Sequence, residues 1–147
     1  MMMRNTRFAI AFAATVFVAG FFAGHASQSW GVVRAQSQRV FEIRRYTAPE
    51  GKLGDLHARF RNHTMRIFKK HGMENIVYFS PQDAPAKDNT LIYIIAHASR
   101  DQAKKNWAEF AADPEWQKVA AESQVNGRLT SNIESTFVDP TDYSPMK

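Results

Sequence analysis

The chain has 147 residues, with 19 Lys and Arg against 14 Asp and Glu and no cysteine. Disulfides, thiolate metal sites and cysteine nucleophiles are therefore excluded. Residues 1–35 hold Arg4, Arg7 and Arg34 but no acid, so without them 16 basic side chains face 14 acidic ones and the charge falls from +5 to +2. The remaining 112 residues (147 minus 35) suffice for one domain with one core. Their charge gives no basic stripe for nucleic acid beyond Arg59–Lys70, which reads as a solvated helix face.

Met1 to Arg7 is a short basic start, and Phe8 to Ala23 is an apolar run of 16 residues. This is the layout of a secretory signal peptide. Small residues before Ala26 and before Ala35 suit signal peptidase. Cleavage after Ala35 is preferred because the first strand follows almost at once, and processing after Ala26 is the alternative. Residues 36–147 then form the mature domain, periplasmic or secreted. An uncleaved anchor through residues 8–23 is the competing reading, although the run is short against the ~20 residues that span a bilayer.

Arg39 to Thr47 alternates and reads as a strand, and Ala48–Gly51 is turn chemistry. Leu53, Leu56, Phe60, Thr64, Ile67 and His71 then form one helical stripe, closed by Gly72 in a left-handed position. A second strand is expected over about 75–80, followed by a polar loop over 81–89. Thr90 to Ala98 is the most apolar stretch and reads as a central strand. Ser99 and Gln102 form a capping box for the next helix. Asp113 and Pro114 restart a helix as N-cap and first helical residue. Asn126-Gly127 is a turn, and Arg128–Val138 is the last strand. The order βαββααβ implies an α+β fold with a four-stranded antiparallel sheet and helices on one face.

Alternation sorts the strands into two faces. One carries Phe41, Ile43, Val77, Phe79, Ile92, Ile94 and Ala96, and it is expected to pack under the helices. The other carries Arg44, Tyr46, Tyr78, Tyr93 and His97 among apolar residues, too apolar for a freely wet face. A second copy of the chain covering it is the inference, giving a homodimer whose sheets face each other.

The segments Phe41–Tyr46, Pro49…Gly51-Lys52, Arg59–Thr64 with Lys70-His71-Gly72, Trp107…Trp116 and Phe137…Pro145 together resemble the NIPSNAP family. The resemblance spans about residues 39–145, with five separated matches in order. It implies a ferredoxin-like fold of the dimeric α/β-barrel superfamily. Cofactor-free monooxygenases, haem-degrading enzymes, dehydratases and binding-only proteins share that superfamily, so fold limits function poorly. The family supplies no catalytic set to transfer.

Among candidate residues, Arg44 could hold a carboxylate or enolate, the tyrosines could orient a carbonyl, and His97 could act as a base. The structural reading pairs Arg44 with an acid such as Glu42 or Glu134. His63 is the candidate on the first helix. His71, in the last turn, reads as a partner for a free carbonyl. The two are eight residues apart, which is not the spacing of a zinc pair. Trp107, Phe110 and Trp116 would wall a pocket between helices and sheet, or simply fill the core. Phosphate-loop, nucleophile-elbow and paired-carboxylate signatures are missing. No metal and no cofactor is expected, with haem left open. The best reading is an exported homodimer binding a small, partly apolar molecule. A cofactor-independent monooxygenase or isomerase and a structural dimerisation module are the alternatives.

Overall fold

The computed structural model describes residues 39–146. The leader, both cleavage sites and the apolar run at 8–23 lie outside them. Four strands, β1 (Val40–Thr47), β2 (Glu74–Phe79), β3 (Thr90–His97) and β4 (Asn132–Val138), form one antiparallel sheet in the order β2-β3-β1-β4. β1 and β3, the two longest strands and the two most buried, occupy the centre, where each has a hydrogen-bonding neighbour on both sides. This is the four-stranded antiparallel sheet expected from βαββααβ, in the ferredoxin-like arrangement that the family resemblance implies.

Between β1 and β2 runs a helical segment in three parts: α1 (Leu53–Arg59), a π-helical turn (Phe60–Thr64) and α2 (Met65–Lys70). Gly72 closes it with φ of +71°, a conformation glycine adopts without strain. α3 (Arg100–Ala112) and α4 (Pro114–Glu122) connect β3 to β4. The Ser99 side chain accepts the Gln102 N–H at 3.1 Å, as a cap should. The reciprocal half of the box is not made, because the Gln102 amide turns to Asn106 Oδ1 at 2.7 Å. Asp113 caps α4 by accepting the Glu115 N–H at 2.8 Å, with Pro114 at the first helical position. The last strand starts at Asn132, four residues later than expected; Leu129 before it is buried in the core.

The alternation pattern partitions the sheet correctly, but the helices cover the opposite face to the one anticipated. Cross-strand partners show which residues share a face: Arg44 pairs with Tyr93, Val40 with His97 and Tyr78 with Tyr93. That face is the one under the helices, where Tyr46, Leu91, Tyr93 and Ile95 pack with Leu56, Phe60, Ile67, Phe68 and Phe110. Phe41, Ile43, Val77, Ile92, Ile94 and Val138 lie on the other face. A bulge at Ile76 keeps Val77 and Phe79 in phase with it. The reversal has a physical cause. The polar groups of the tyrosine face bond to one another, and the large rings match the rings the helices project. Most of the polarity that looked fit for a ligand or partner is thereby satisfied within one domain, the Tyr93 hydroxyl and Arg44 Nε excepted.

Candidate functional site

Glu42 is the hub of that internal polarity. It is 1% exposed, and its carboxylate accepts four hydrogen bonds. Arg44 and Ser135 donate to Oε1 at 2.6 Å each. Trp107 Nε1 reaches Oε2 at 2.7 Å, and His97 Nε2 lies 3.1 Å from the same oxygen. The Asn106 amide nitrogen, 3.3 Å from His97 Nδ1 and 3.1 Å from the Gly72 carbonyl, assigns the acceptor role to Nδ1 and the donor role to Nε2. Burial pushes the carboxyl upward, but the bonds from His97, Ser135, Trp107 and Arg44 prevail and hold it at about 2. The Arg44 guanidinium also lies 4.3 Å over the Trp107 ring. Burial works against its charge, yet Tyr46, Tyr93 and Glu42 outweigh that and hold its pKa above the usual value.

Arg44, Tyr46, Tyr78, Tyr93 and His97 are thus brought to one face, as the strand periodicity requires. Arg44 is committed to Glu42, the structural pairing named from sequence. His97 is buried at 1% exposure with both ring nitrogens engaged. Tyr78 stacks on Tyr93 with ring centroids 5.3 Å apart and bonds Asn75. Tyr93 is fully enclosed; burial raises its pKa well above the ordinary value, and its hydroxyl has no hydrogen-bond partner among the described residues. His63 lies elsewhere, exposed on the outer side of the π turn, beside a shallow cleft shared with Asp55 and Glu122. His71 bonds the Asp113 carboxylate at 2.6 Å instead of a helix carbonyl, and Lys70 adds a second bond to it at 2.7 Å. Lys70 and His71 hold the Asp113 carboxyl well below the usual carboxylate range.

The π turn accounts for the fate of His63. At about 100° per residue, an unbroken α-helix would put His63 nearer the middle of the buried stripe than Phe68. The wider turn rotates the downstream segment back, so that Thr64, Ile67 and Phe68 are buried and His63 is exposed. Such turns recur at functional sites, and this one adjoins a cavity. About 160 Å³ lie between the helices and the sheet, walled by Tyr46, Phe60, Phe68, Phe110 and Trp116 and reaching Gln124 and Thr130. Trp107 packs behind this wall, against Phe68 and Phe110 at centroid distances of 5.4 and 5.6 Å.

Arg59, the last residue of α1, lines the same cavity and is 7% exposed. Its guanidinium lies 5.3 Å from the Trp116 ring. Among the described residues it makes no ion pair and no side-chain hydrogen bond, and its Nε is buried without a partner. Burial lowers its pKa, and Tyr46 and Tyr93 only partly offset that. The expectation of a solvated basic face over Arg59–Lys70 therefore fails at Arg59. The signal that could have singled it out is its place three residues after Leu56, on the flank of the stripe.

Several solved structures share this architecture. A NIPSNAP family protein of unknown function from Agrobacterium tumefaciens is 24% identical, covering 76% of this chain and 96% of its own, with a TM-score of 0.65. An uncharacterised NIPSNAP-like domain protein from Burkholderia xenovorans is 18% identical over 74% of this chain and 90% of its own, with a TM-score of 0.64. SnoaB, a cofactor-independent oxygenase from Streptomyces nogalater, shares the fold more distantly, at 16% identity over 74% and 98% of the two chains and a TM-score of 0.50. No curated protein matches the chain. The NIPSNAP sequence profile itself matches residues 41–145, from the second residue of β1 to the tail beyond β4. With that span covering the sheet, the π turn and the cavity, the chain belongs to the NIPSNAP family.

Proposed function

We propose that this NIPSNAP protein is exported and works as a homodimer that binds a small, partly apolar molecule between sheet and helices. The observation that carries the reading is the aromatic cavity of about 160 Å³ with the buried, unpaired Arg59 on its wall. Concave, mostly apolar sites with few polar groups are where small ligands bind. A buried cation without a counter-charge is unfavourable unless something else supplies it.

The dimer is supported by the uncovered sheet face. Ile43, Val77, Ile92, Ile94 and Val138 are only partly covered there, and Phe79 is 50% exposed. A largely aliphatic face of this kind, with Arg45 and Glu134 paired at one end, suits an isologous contact in which the same patch meets itself. Export is supported by the basic start and apolar run of residues 1–23. A turnover reading shares the cavity: the Arg59 guanidinium would stabilise an enolate as readily as a carboxylate, which suits cofactor-independent oxygenase or isomerase chemistry.

Native and denaturing mass spectra of one preparation, made by expressing the full chain with its leader, test the proposal. The expected result is a dimer whose extra mass leaves on denaturation, built of chains that start at Gln36. A bare dimer with no occupant would favour a purely structural dimerisation module. A monomer at micromolar concentration would overturn the role given to the open sheet face. An intact leader would overturn processing after Ala35.

A further inference from the structure

The cavity reading above leaves the chemical class of the occupant open, and on that reading we infer that the site is built for a small monocarboxylate with a single-ring hydrocarbon body, its anion held by Arg59. Two arginines serve the helix-covered side of the sheet, and they are treated differently. Arg44 meets Glu42 at 2.6 Å and is part of a closed network. Arg59 is at least as buried, yet among the described residues it makes no ion pair and no side-chain hydrogen bond, although it also lines the shallow cleft that holds Asp55 and Glu122. Trp116 covers one side of the guanidinium, which screens the charge without neutralising it. A planar fork with free N–H groups facing a cavity matches a carboxylate in shape and charge.

The remaining wall sets the body of the ligand. Phe60, Phe68, Phe110 and Trp116 are apolar, and Arg59 is the one charged residue lining the cavity among those described. One positive charge balances one negative charge, so a dianion such as a phosphate monoester would remain half uncompensated. The volume of about 160 Å³ is close to that of an apolar cavity of ~150 Å³ that takes benzene. Gln124 and Thr130 supply an amide and a hydroxyl that could bond a polar substituent on the ring. The π turn contributes as well. The Thr64 hydroxyl donates to the Arg59 carbonyl at 3.3 Å, which ties the backbone of Arg59 to the turn that adjoins the cavity.

The test is calorimetric titration of the full chain with benzoate and with benzamide, its neutral isostere. Benzoate is expected to bind the unaltered protein roughly 10- to 100-fold more tightly than benzamide, the range for a hydrogen-bonded charge. Arg59→Gln should remove that preference, Arg59→Lys should keep part of it, and Arg61→Gln, an exposed neighbour, should leave it unchanged. Circular dichroism establishes that each variant is folded, and the benzoate-to-benzamide ratio on unaltered protein stands without any variant. Equal binding of the two probes, or full benzoate affinity in Arg59→Gln, overturns the anion assignment and leaves the pocket in place. Failure of both probes at millimolar concentration, with no occupant in the mass spectra, overturns the pocket and the assignment together. An occupant that proves to be neutral overturns the assignment alone.

Discussion

Replacing Glu42 by Gln removes one charge from the centre of the buried network and changes the volume hardly at all. The amide oxygen can still accept from two of the four donors, but the amide nitrogen must then face two others. Arg44, its side chain 14% exposed, loses its counter-ion at the same time. Breaking a buried pair from one side costs about 3–5 kcal/mol, a large share of the ~5–15 kcal/mol that holds a domain together. With a urea slope of ~1–3 kcal/mol/M, the midpoint should fall by about 2 M. Fluorescence is a suitable readout, because Trp107 Nε1 donates to the altered group at 2.7 Å. The pH profile gives an independent check. Glu42 titrates at about 2 when folded and near 4.5 when free, because its hydrogen bonds outweigh burial. Its folded value is the lower one, so its contribution is present above pH 4.5 and disappears as the pH falls toward 2. The gap corresponds to roughly 3 kcal/mol, or about 2 after solvent screening. The stability difference between wild type and Glu42→Gln should therefore shrink over that window. A midpoint change under about 0.3 M at neutral pH, or parallel profiles down to pH 2, would refute the network's role.

Three further substitutions probe other parts of the molecule. Gly72→Ala places a Cβ at φ of +71° and 3.4 Å from Asn106 Nδ2; a loss of about 1–2 kcal/mol is expected in urea melts, and an unchanged midpoint would count against the left-handed closure. Ser99→Ala removes the side-chain cap of α3 and should cost ~1 kcal/mol, read as a melting temperature several degrees lower. Ile94→Lys introduces charge in the middle of the open sheet face, opposite Val77 and Ile43. It should convert the proposed dimer to a folded monomer by light scattering while the circular dichroism spectrum is kept; a persistent dimer would assign the contact to another surface.

Local rules carried the element pattern a long way. The βαββααβ order, the Asp113-Pro114 restart, the Ser99 cap and the Gly72 closure all rest on short-range chemistry that a few neighbouring residues decide. The strand faces were legible for the same reason, since alternation is a property of the extended backbone. Which face the helices would choose was not legible, because that depends on partners distant in sequence. Glu42 meets Ser135, Trp107 and His97 at separations of 93, 65 and 55 residues. Without those contacts Arg44 and His97 look like reactive groups on an open surface. With them they are satisfied members of a core.

Arg59 shows the converse. Sequence placed it in a charge-rich helical segment, where solvation is the ordinary state of an arginine. Its burial follows from the rings that β1, the π turn, α2, α3 and α4 assemble around it, and from Trp116 lying across its guanidinium. The amino-acid sequence by itself determined the family, the element order and the composition of each sheet face, since these depend on local periodicity and motif spacing. Tertiary structure alone decided which polar groups neutralise one another and which cation is left facing a cavity, because counter-charge and desolvation are set by distances across the fold.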